Sequence, residues 1–342
     1  MKSDNYKYLL FLVFLLPVNS ALAQAEEELQ PVPATPASLE ADGCDKAPEQ
    51  DKLPEKMQSS VHEFSCRTVR WIDGLFGNSV DFDEEAVGGK LSLGMTWNEF
   101  EGVKAKARYR VRSDLPNFSD RWDAFFGRVE ERAFISDTET LQQSAFREGI
   151  VNDDPEWLLG LGYNDRGQSK KGWDYSIGLR LSTPIRMYVK AKYRTEAKLS
   201  STTDLRFRQT FFWRDGIGFG ATSHLDTARV LNAENLMRWE LLVTVSEETQ
   251  GTQWWTGHRW YHKLDHQNGV SLLSFARGET SLEVPLFEYG FELTWRRQVA
   301  REWLFINVGP TLTWPKLKID QQRDPSWGFA VLMDFEFGAY RD

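Results

Sequence analysis

The sequence lacks any run of about 18 apolar residues beyond its N-terminus, and its mean hydropathy is −0.49. Both features exclude a protein that crosses a membrane with several helices. It also lacks an excess of positive charge, because 41 Lys and Arg are outnumbered by 50 Asp and Glu, so we expect no nucleic acid as a partner. Proline is scarce, at 13 of 342 residues, while 13% of residues are aromatic, which excludes a disordered chain.

Motifs for nucleotides and metals are absent too. No Walker loop, dinucleotide-binding fingerprint or zinc-ligand spacing occurs, so we expect neither a cofactor nor a metal. The string GIGFG, residues 216–220, superficially matches a phosphate-binding loop. Its glycines alternate with Ile217 and Phe219, however, and this alternation predicts small inward-facing residues near a hairpin.

Cysteine is limited to Cys44 and Cys66. Residues 1–23 combine Lys2 and Lys7 with a short apolar stretch and small residues before the expected cleavage point, as a secretory signal peptide does. A single membrane anchor is the alternative. Because export leads to an oxidising compartment, we predict a disulfide between the two cysteines, with two independent thiols as the alternative.

Charge divides the rest of the chain in two. Residues 24–86 carry 5 basic and 15 acidic side chains, while residues 87–342 carry 34 of each sign. Residues 24–53, rich in Pro, Ala and acids, are predicted to form a flexible periplasmic leader. Residues 54–86 contain an amphipathic helical pattern, and we expect this helix to dock at, or partly plug, the periplasmic side of the main domain. Lying in a membrane interface is its alternative.

From residue 89 onward, apolar and polar residues alternate with a period of two, which predicts β-strands. One late strand has an apolar face formed by Phe287, Tyr289, Phe291, Leu293 and Trp295. A soluble sandwich also alternates, but these strands are about 10–13 residues long, as a tilted crossing of the bilayer requires. Their polar faces are rich in charged residues and Gly, which favours a water-filled lumen.

Tryptophan recurs at strand ends, where two interfacial girdles would lie: Trp97, Trp122, Trp157, Trp173, Trp213, Trp303, Trp314 and Trp327. Because backbone groups find no water in lipid, such strands must close. The predicted fold is therefore an all-β, transmembrane, antiparallel up-and-down barrel over residues 87–342. We predict fourteen strands, with twelve as the alternative, and place the longest connection, about residues 130–154, on the outer surface.

The sequence also resembles a known group of proteins. The strings RWIDGLFG, FFWRDGIGFG, WRRQVAREWLF and VGPTLTWP are similar to uncharacterised outer-membrane β-barrel proteins of Gram-negative bacteria. The last strand, WGFAVLMDFEFG, resembles the signal that such proteins present to the barrel-assembly machinery. The resemblance implies a location in the outer membrane, with lipids, lipopolysaccharide and the assembly machinery as partners. It implies no catalytic or binding residues.

Charged residues concentrate on the presumed lumen faces. A basic ladder consists of Lys104, Lys106, Arg108, Arg110, Arg112, Arg186, Lys190, Lys192, Arg194, Arg206 and Arg208. Acids on late strands are Glu288, Glu292, Asp334 and Glu336. Two hypotheses fit these residues: a structural ion-pair network that helps to fill a narrow barrel, and a transverse field that lines a small, anion-biased pore.

Histidine and serine suggest one enzymatic hypothesis. A hairpin turn near His266 would place His258 opposite Ser274 on the lipid-facing side, as a lipid hydrolase requires of base and nucleophile. The spacing from His258 to His262, about 13 Å along a strand, is too long for one metal ion. No carboxylate is evident to orient His258, so the sequence favours a role other than that of an enzyme and leaves lipid hydrolysis as an alternative.

Three functions are thus carried forward from the sequence. The first is a narrow, anion-biased pore or passive transport barrel. The second is a plugged structural barrel that serves envelope integrity or a protein partner whose identity the residues do not indicate. The third is lipid hydrolysis by His258 and Ser274.

Overall fold

The computed structural model describes residues 87–99, 102–114, 121–138, 155–165, 171–301 and 303–338. The predicted signal peptide, leader, N-terminal helix and Cys44–Cys66 bridge lie outside the described residues. No helix within the described ranges is long and apolar enough to cross a membrane.

The described chain forms fourteen strands and one short helix. The first elements are β1 (Val87–Asn98), β2 (Gly102–Asp114), β3 (Trp122–Glu130), α1 (Glu131–Ile135), β4 (Pro155–Asn164), β5 (Lys171–Arg180), β6 (Arg186–Ser200) and β7 (Thr203–Arg214). The remaining elements are β8 (Gly218–Asn232), β9 (Asn235–Ser246), β10 (Gln253–Lys263), β11 (Asn268–Glu279), β12 (Leu286–Gln298), β13 (Leu304–Pro315) and β14 (Ser326–Gly338).

The strands close into a barrel in which each pairs with its sequence neighbours and β14 returns to β1. All pairs are antiparallel, and the closing pair joins Lys90 to Glu336 and Ser92 to Asp334. Closure leaves no strand edge unpaired, which is the condition for crossing a bilayer with strands. The predicted barrel of fourteen strands is confirmed, and the alternative of twelve is wrong.

The barrel has two ends. At the terminal end, β1 begins and β14 ends; at the loop end, β3 connects to β4. Because the strand number is even, both ends of the barrel sequence lie at the terminal end. Tight turns at the loop end use glycine where the backbone requires it: Gly216, in the β7–β8 turn, and Gly218, the first residue of β8, have φ of 79° and 98°.

The outer face is apolar, as the alternation predicts. Phe291 and Leu293 are exposed on β12, whereas Glu292 between them is 1% exposed. Tryptophans lie near both ends: Trp97, Trp157, Trp213, Trp314 and Trp327 at the loop end, and Trp122, Trp173 and Trp303 at the terminal end. The placement of Phe287 on the outer face is wrong, because it is 9% exposed beside a strand end where the β11–β12 register shifts.

Candidate functional site

An inward segment narrows the lumen at the loop end. It consists of α1 and the residues that follow it, residues 131–138, and its side chains contact inward-facing residues of β3–β7. Ala133, Phe134 and Ile135 are each at most 9% exposed. The start of the longest connection, at the end of the barrel opposite the termini, therefore folds inward, and its apolar side chains are removed from water inside the barrel.

An apolar cluster inside the lumen anchors the segment. The Phe134 ring stacks on Phe125 with centroids 4.3 Å apart and meets the edge of Tyr188 at 5.9 Å. The remaining members of the cluster are Val129, Ile135, Leu158 and Phe212. Full burial of one such aromatic side chain contributes about 1.5–3 kcal/mol, so this cluster is a strong local anchor for a segment of only two turns.

Acidic groups of the segment meet basic side chains of β5–β7, among them Lys192 and Arg208 of the predicted basic ladder. Arg180 donates to Glu131 at 2.9 Å, and Lys192 donates to Asp137 at 3.1 Å. Arg208 lies 3.7 Å from the second oxygen of Asp137. The two carboxylates therefore neutralise part of the basic charge on β5–β7, and the ion pairs fix the segment against that part of the wall.

Two further contacts involve the backbone and the helix itself. The Lys190 ammonium donates to the Phe134 carbonyl oxygen at 3.0 Å and lies 4.0 Å from the centre of the Phe134 ring. On the other side of α1, Arg132 donates to Glu248 in the β9–β10 turn. The segment is thus tied to both sides of the lumen.

The helix is terminated by its own residues. Both the amide and the hydroxyl of Ser136 donate to the Arg132 carbonyl, at 2.9 Å and 2.7 Å. Asp137 follows with φ of 58°, a left-handed conformation that Asp tolerates better than most residues, and Thr138 donates to Ala133. This turn directs the Asp137 carboxylate toward β6 and β7.

The basic ladder lies on the strand faces opposite the exposed apolar residues. Its described side chains are Lys104, Arg108, Arg110 and Arg112 on β2, Arg186, Lys190, Lys192 and Arg194 on β6, and Arg206 and Arg208 on β7. Only the side chain of Lys106 falls outside the described residues. The structure therefore places the described ladder residues on the inward faces of β2, β6 and β7, with β3, β4 and β5 between the two groups.

Most of the ladder has acidic partners that sequence reasoning missed. Arg112 donates to Asp123 at 2.7 Å, and Arg194 lies 2.8 Å from Asp174. Arg108 bonds to Glu130 at 2.5 Å. These acids lie on strands adjacent to the ladder, so the missing signal was the pairing register rather than any motif.

The predicted acids on late strands are paired as well. Glu288 accepts from Arg277 at 2.8 Å, while Asp334 lies 2.9 Å from Arg296 and 3.3 Å from Lys90. Glu336 shares the same two bases, at 3.2 Å each. Glu292, on β12, accepts from the Thr294 hydroxyl at 3.2 Å. The basic ladder and the acids on late strands therefore do not face each other across the lumen as unpaired charges.

A mid-lumen cluster on β7–β9 was not predicted at all. Arg238 forms a bidentate pair with Asp226, at 2.8 Å and 2.7 Å, and lies 3.3 Å from Glu240. His224, 2% exposed, bonds to Arg208 through Nδ1 and lies 3.4 Å from Glu240 through Nε2. The register of β7, β8 and β9 brings these residues together, and alternation along a single strand does not reveal it.

Beside the inward segment, a cavity of about 560 Å³ remains open at the loop end. The segment, the β9–β10 turn and the β11–β12 loop enclose it. Its lining mixes apolar side chains such as Phe212 and Phe287 with charged ones such as Arg132, Glu279 and Glu283. The segment therefore narrows the lumen without filling this end of it.

The proposed hydrolase pair occupies the outer face. The register joins His258 to Ser274 as the sequence predicts, and the His258 ring lies 6.3 Å from the Trp239 ring. In the part of the chain that the structure describes, no hydrogen bond joins the His258 and Ser274 side chains. His262 bonds to Asn235 at 3.0 Å. No group of three His, Cys, Asp or Glu that could hold a metal occurs among the described residues.

Comparison with known proteins shows similarity at the level of solved barrel structures. The KdgM porin shares 4% identity at a TM-score of 0.35, covering 73% of this chain and 99% of that chain. The Pseudomonas putida toluene transporter TodX shares 9% at 0.41, covering 78% and 93%. OprD of Pseudomonas aeruginosa shares 9% at 0.37, covering 75% and 96%. No family model and no curated protein matches the chain.

Proposed function

We propose that the protein is a passive transport barrel of the bacterial outer membrane, in which the inward segment forms the constriction. One observation supports this most directly: the segment is held inside a closed barrel by Phe134 and by ion pairs, yet it leaves an open cavity of about 560 Å³ beside it. A segment that only stabilised the barrel would have no need to leave such space. A constriction formed by an inward loop restricts solutes by size and by the charges around it.

The proposed barrel discriminates only weakly between anions and cations. The basic ladder favours anions, but Asp137 of the inward segment compensates Lys192 and Arg208 on two of its strands, and Glu131 compensates Arg180 on the adjacent strand. We therefore expect a small preference for anions, smaller than the number of basic residues alone suggests. The segment then sets both the width and the charge of the narrow point.

The proposal includes an orientation. The terminal end faces the periplasm, where residues 24–86 would lie, and the loop end faces the outside of the cell. Lipids and lipopolysaccharide would surround the apolar outer face, and the assembly machinery would insert the barrel through its last strand. Protease accessibility in intact cells checks this orientation: a tag in the β13–β14 loop should be cleaved, and one between β6 and β7 should be protected.

Conductance in planar lipid bilayers tests the transport role. The full chain, purified from outer membranes, should give small, steady, ohmic steps, and the chain without residues 24–86 should give steps at least as large. An absence of conductance in both forms would contradict the proposal and favour the plugged structural barrel. If the acidic leader blocks the periplasmic mouth electrostatically, removing residues 24–53 should raise conductance more at low salt than at high salt.

A further inference from the structure

The cavity at the loop end has the size and lining of a ligand site. Its volume of about 560 Å³ lies within the range of about 300–1,000 Å³ in which small-molecule pockets fall. Val284 and Phe287, on the β11–β12 loop and the start of β12, are both less than a tenth exposed and line one side. Ile135 and Phe212 line the other. An apolar body of this size would be held between two aromatic side chains.

The basic side chains of the cavity are already compensated. Arg214 donates to Glu248 at 2.8 Å and lies 4.0 Å from Glu131. Arg132 pairs with the same Glu248. These four charged groups are therefore engaged with one another on the side of the inward segment, where they leave little attraction for an anion.

The opposite side carries carboxylates of a different kind. Glu279, 7% exposed at the end of β11, accepts the backbone N–H groups of Gln250 and Gly251 on one oxygen, at 2.6 Å and 3.2 Å. Glu283 is exposed on the following loop. Within the described ranges, neither carboxylate forms an ion pair with Lys, Arg or His. The backbone amides fix Glu279 in place, and a fixed, largely buried carboxylate attracts a cation at little cost in conformational entropy.

We propose that this cavity binds a small organic monocation, an ammonium group attached to an apolar body, and this inference rests on the transport role proposed above. The ammonium group meets Glu279, with Glu283 at the entrance, and the apolar body packs between Phe212 and Phe287. Apolar lining argues for an organic cation over a hydrated metal ion, because a metal ion would need several oxygen ligands in place of the aromatic side chains. The aromatic rings add attraction for a cation near their faces.

Three probes of one shape and different charge test the site. Benzylammonium, benzyl alcohol and benzoate are titrated into the detergent-solubilised full chain by isothermal titration calorimetry. Benzylammonium should bind about tenfold more tightly than benzyl alcohol, as one charge-assisted contact provides, and benzoate should bind most weakly. In Glu279→Gln, which keeps a carbonyl acceptor for the backbone amides, benzylammonium should bind about tenfold more weakly while benzyl alcohol is unchanged.

Two further variants complete the test. Glu283→Gln, at an exposed position, should weaken the binding of benzylammonium by about twofold to fivefold, because an exposed ion pair contributes little free energy. This variant keeps the test valid if Glu279→Gln does not fold. Glu247→Gln is the matched control, because Glu247 lies in the same turn as Glu248 but bonds to the Phe219 amide outside the cavity. It should leave all three probes unchanged.

The inference is overturned if benzoate binds as tightly as benzylammonium, or if neither Glu279→Gln nor Glu283→Gln changes the affinity for benzylammonium. Binding is measured without ion flow, so the two proposals fail separately. If the barrel conducts but binds the three probes equally, only the cation site is rejected. A barrel that binds benzylammonium selectively but never conducts would reject the transport role.

Discussion

The two sides of the lumen are stabilised in different ways. On the covered wall, β3–β7, carboxylates of the inward segment, Glu131 and Asp137, compensate Arg180 and Lys192, in addition to interstrand pairs such as Arg194 with Asp174. On the open wall, β8–β14, compensation comes from neighbouring strands, as in Arg238 with Asp226 and Arg277 with Glu288. On the covered wall, part of the charge balance therefore depends on the same residues that set the channel width, whereas on the open wall charge balance belongs to the barrel itself.

The largest effect is expected from reversing both carboxylates of the inward segment. In Glu131→Lys/Asp137→Lys, the new lysines lie beside Arg180 and Lys192, so like charges repel the segment from the covered wall. Single-channel conductance should rise severalfold, and the reversal potential in a salt gradient should shift toward the value expected of an anion-selective channel. Asp215→Lys, in the exposed β7–β8 turn, is the control for charge alone. An unchanged conductance would show that the segment does not limit the channel.

The corresponding change on the open wall should affect stability and spare conductance. Asp226→Ala leaves the inward Arg238 without its bidentate partner, and loss of one member of a buried pair costs about 3 kcal/mol of unfolding free energy. Urea titration in lipid vesicles, followed by tryptophan fluorescence, measures the loss. The double variant Asp226→Ala/Arg238→Leu should regain part of the lost unfolding free energy, because it no longer leaves Arg238 without its partner. If Asp226→Ala raises conductance as much as the double reversal does, the distinction between the two walls is wrong.

A smaller, local effect is expected from the apolar anchor. Phe134→Leu removes the stacking on Phe125 but keeps an apolar side chain, so docking of the inward segment should weaken by about 1.5 kcal/mol. Hydrogen exchange should accelerate at the Ser136 and Thr138 amides, which donate within the segment. Amides in the β8–β14 ladder serve as the internal control, and acceleration there would mean that the segment stabilises the whole barrel.

In the β1–β14 pair that closes the barrel, Ser92→Ala should cost about 1 kcal/mol of unfolding free energy, the usual value of one hydrogen bond. The Ser92 hydroxyl donates to Asp334 across the β1–β14 pair at 2.6 Å. Asp334 keeps Lys90, Arg296 and Asn307 as partners, which limits the loss. The same urea titration measures it, and a loss as large as that of Asp226→Ala would place the β1–β14 pair among the most sensitive parts of the wall.

The smallest effect is expected outside the lumen. Arg121 and Asp165 form an ion pair at 3.4 Å, with both side chains at least half exposed. Asp165→Asn should leave the unfolding free energy nearly unchanged, because water screens the pair. Thermal unfolding of the two proteins should coincide, and a clear shift would mean that exposed pairs at the barrel ends matter as much as those on the open wall.

Much of this architecture could be predicted from single strands. Alternation along β12 assigned Glu292 and Phe291 to opposite faces, and the structure agrees. The inward position of the basic ladder follows from the same local pattern. Phe287 was assigned to the wrong face because the register shift beside it is a property of two paired strands, which no single strand reveals.

The sequence by itself determined the faces of the strands and the closed barrel, because a period of two is a local property and lipid leaves strands no other way to satisfy their backbone groups. It left fourteen and twelve as alternatives for the number of strands, and the structure decided for fourteen. Only the tertiary structure decided which charges meet, since partners such as Arg112 and Asp123 are set by register. It also decided the course of the inward segment. Five helical residues are too few to produce a helical period, and their inward path depends on a cluster contributed by β3, β4, β6 and β7, which closure alone brings together.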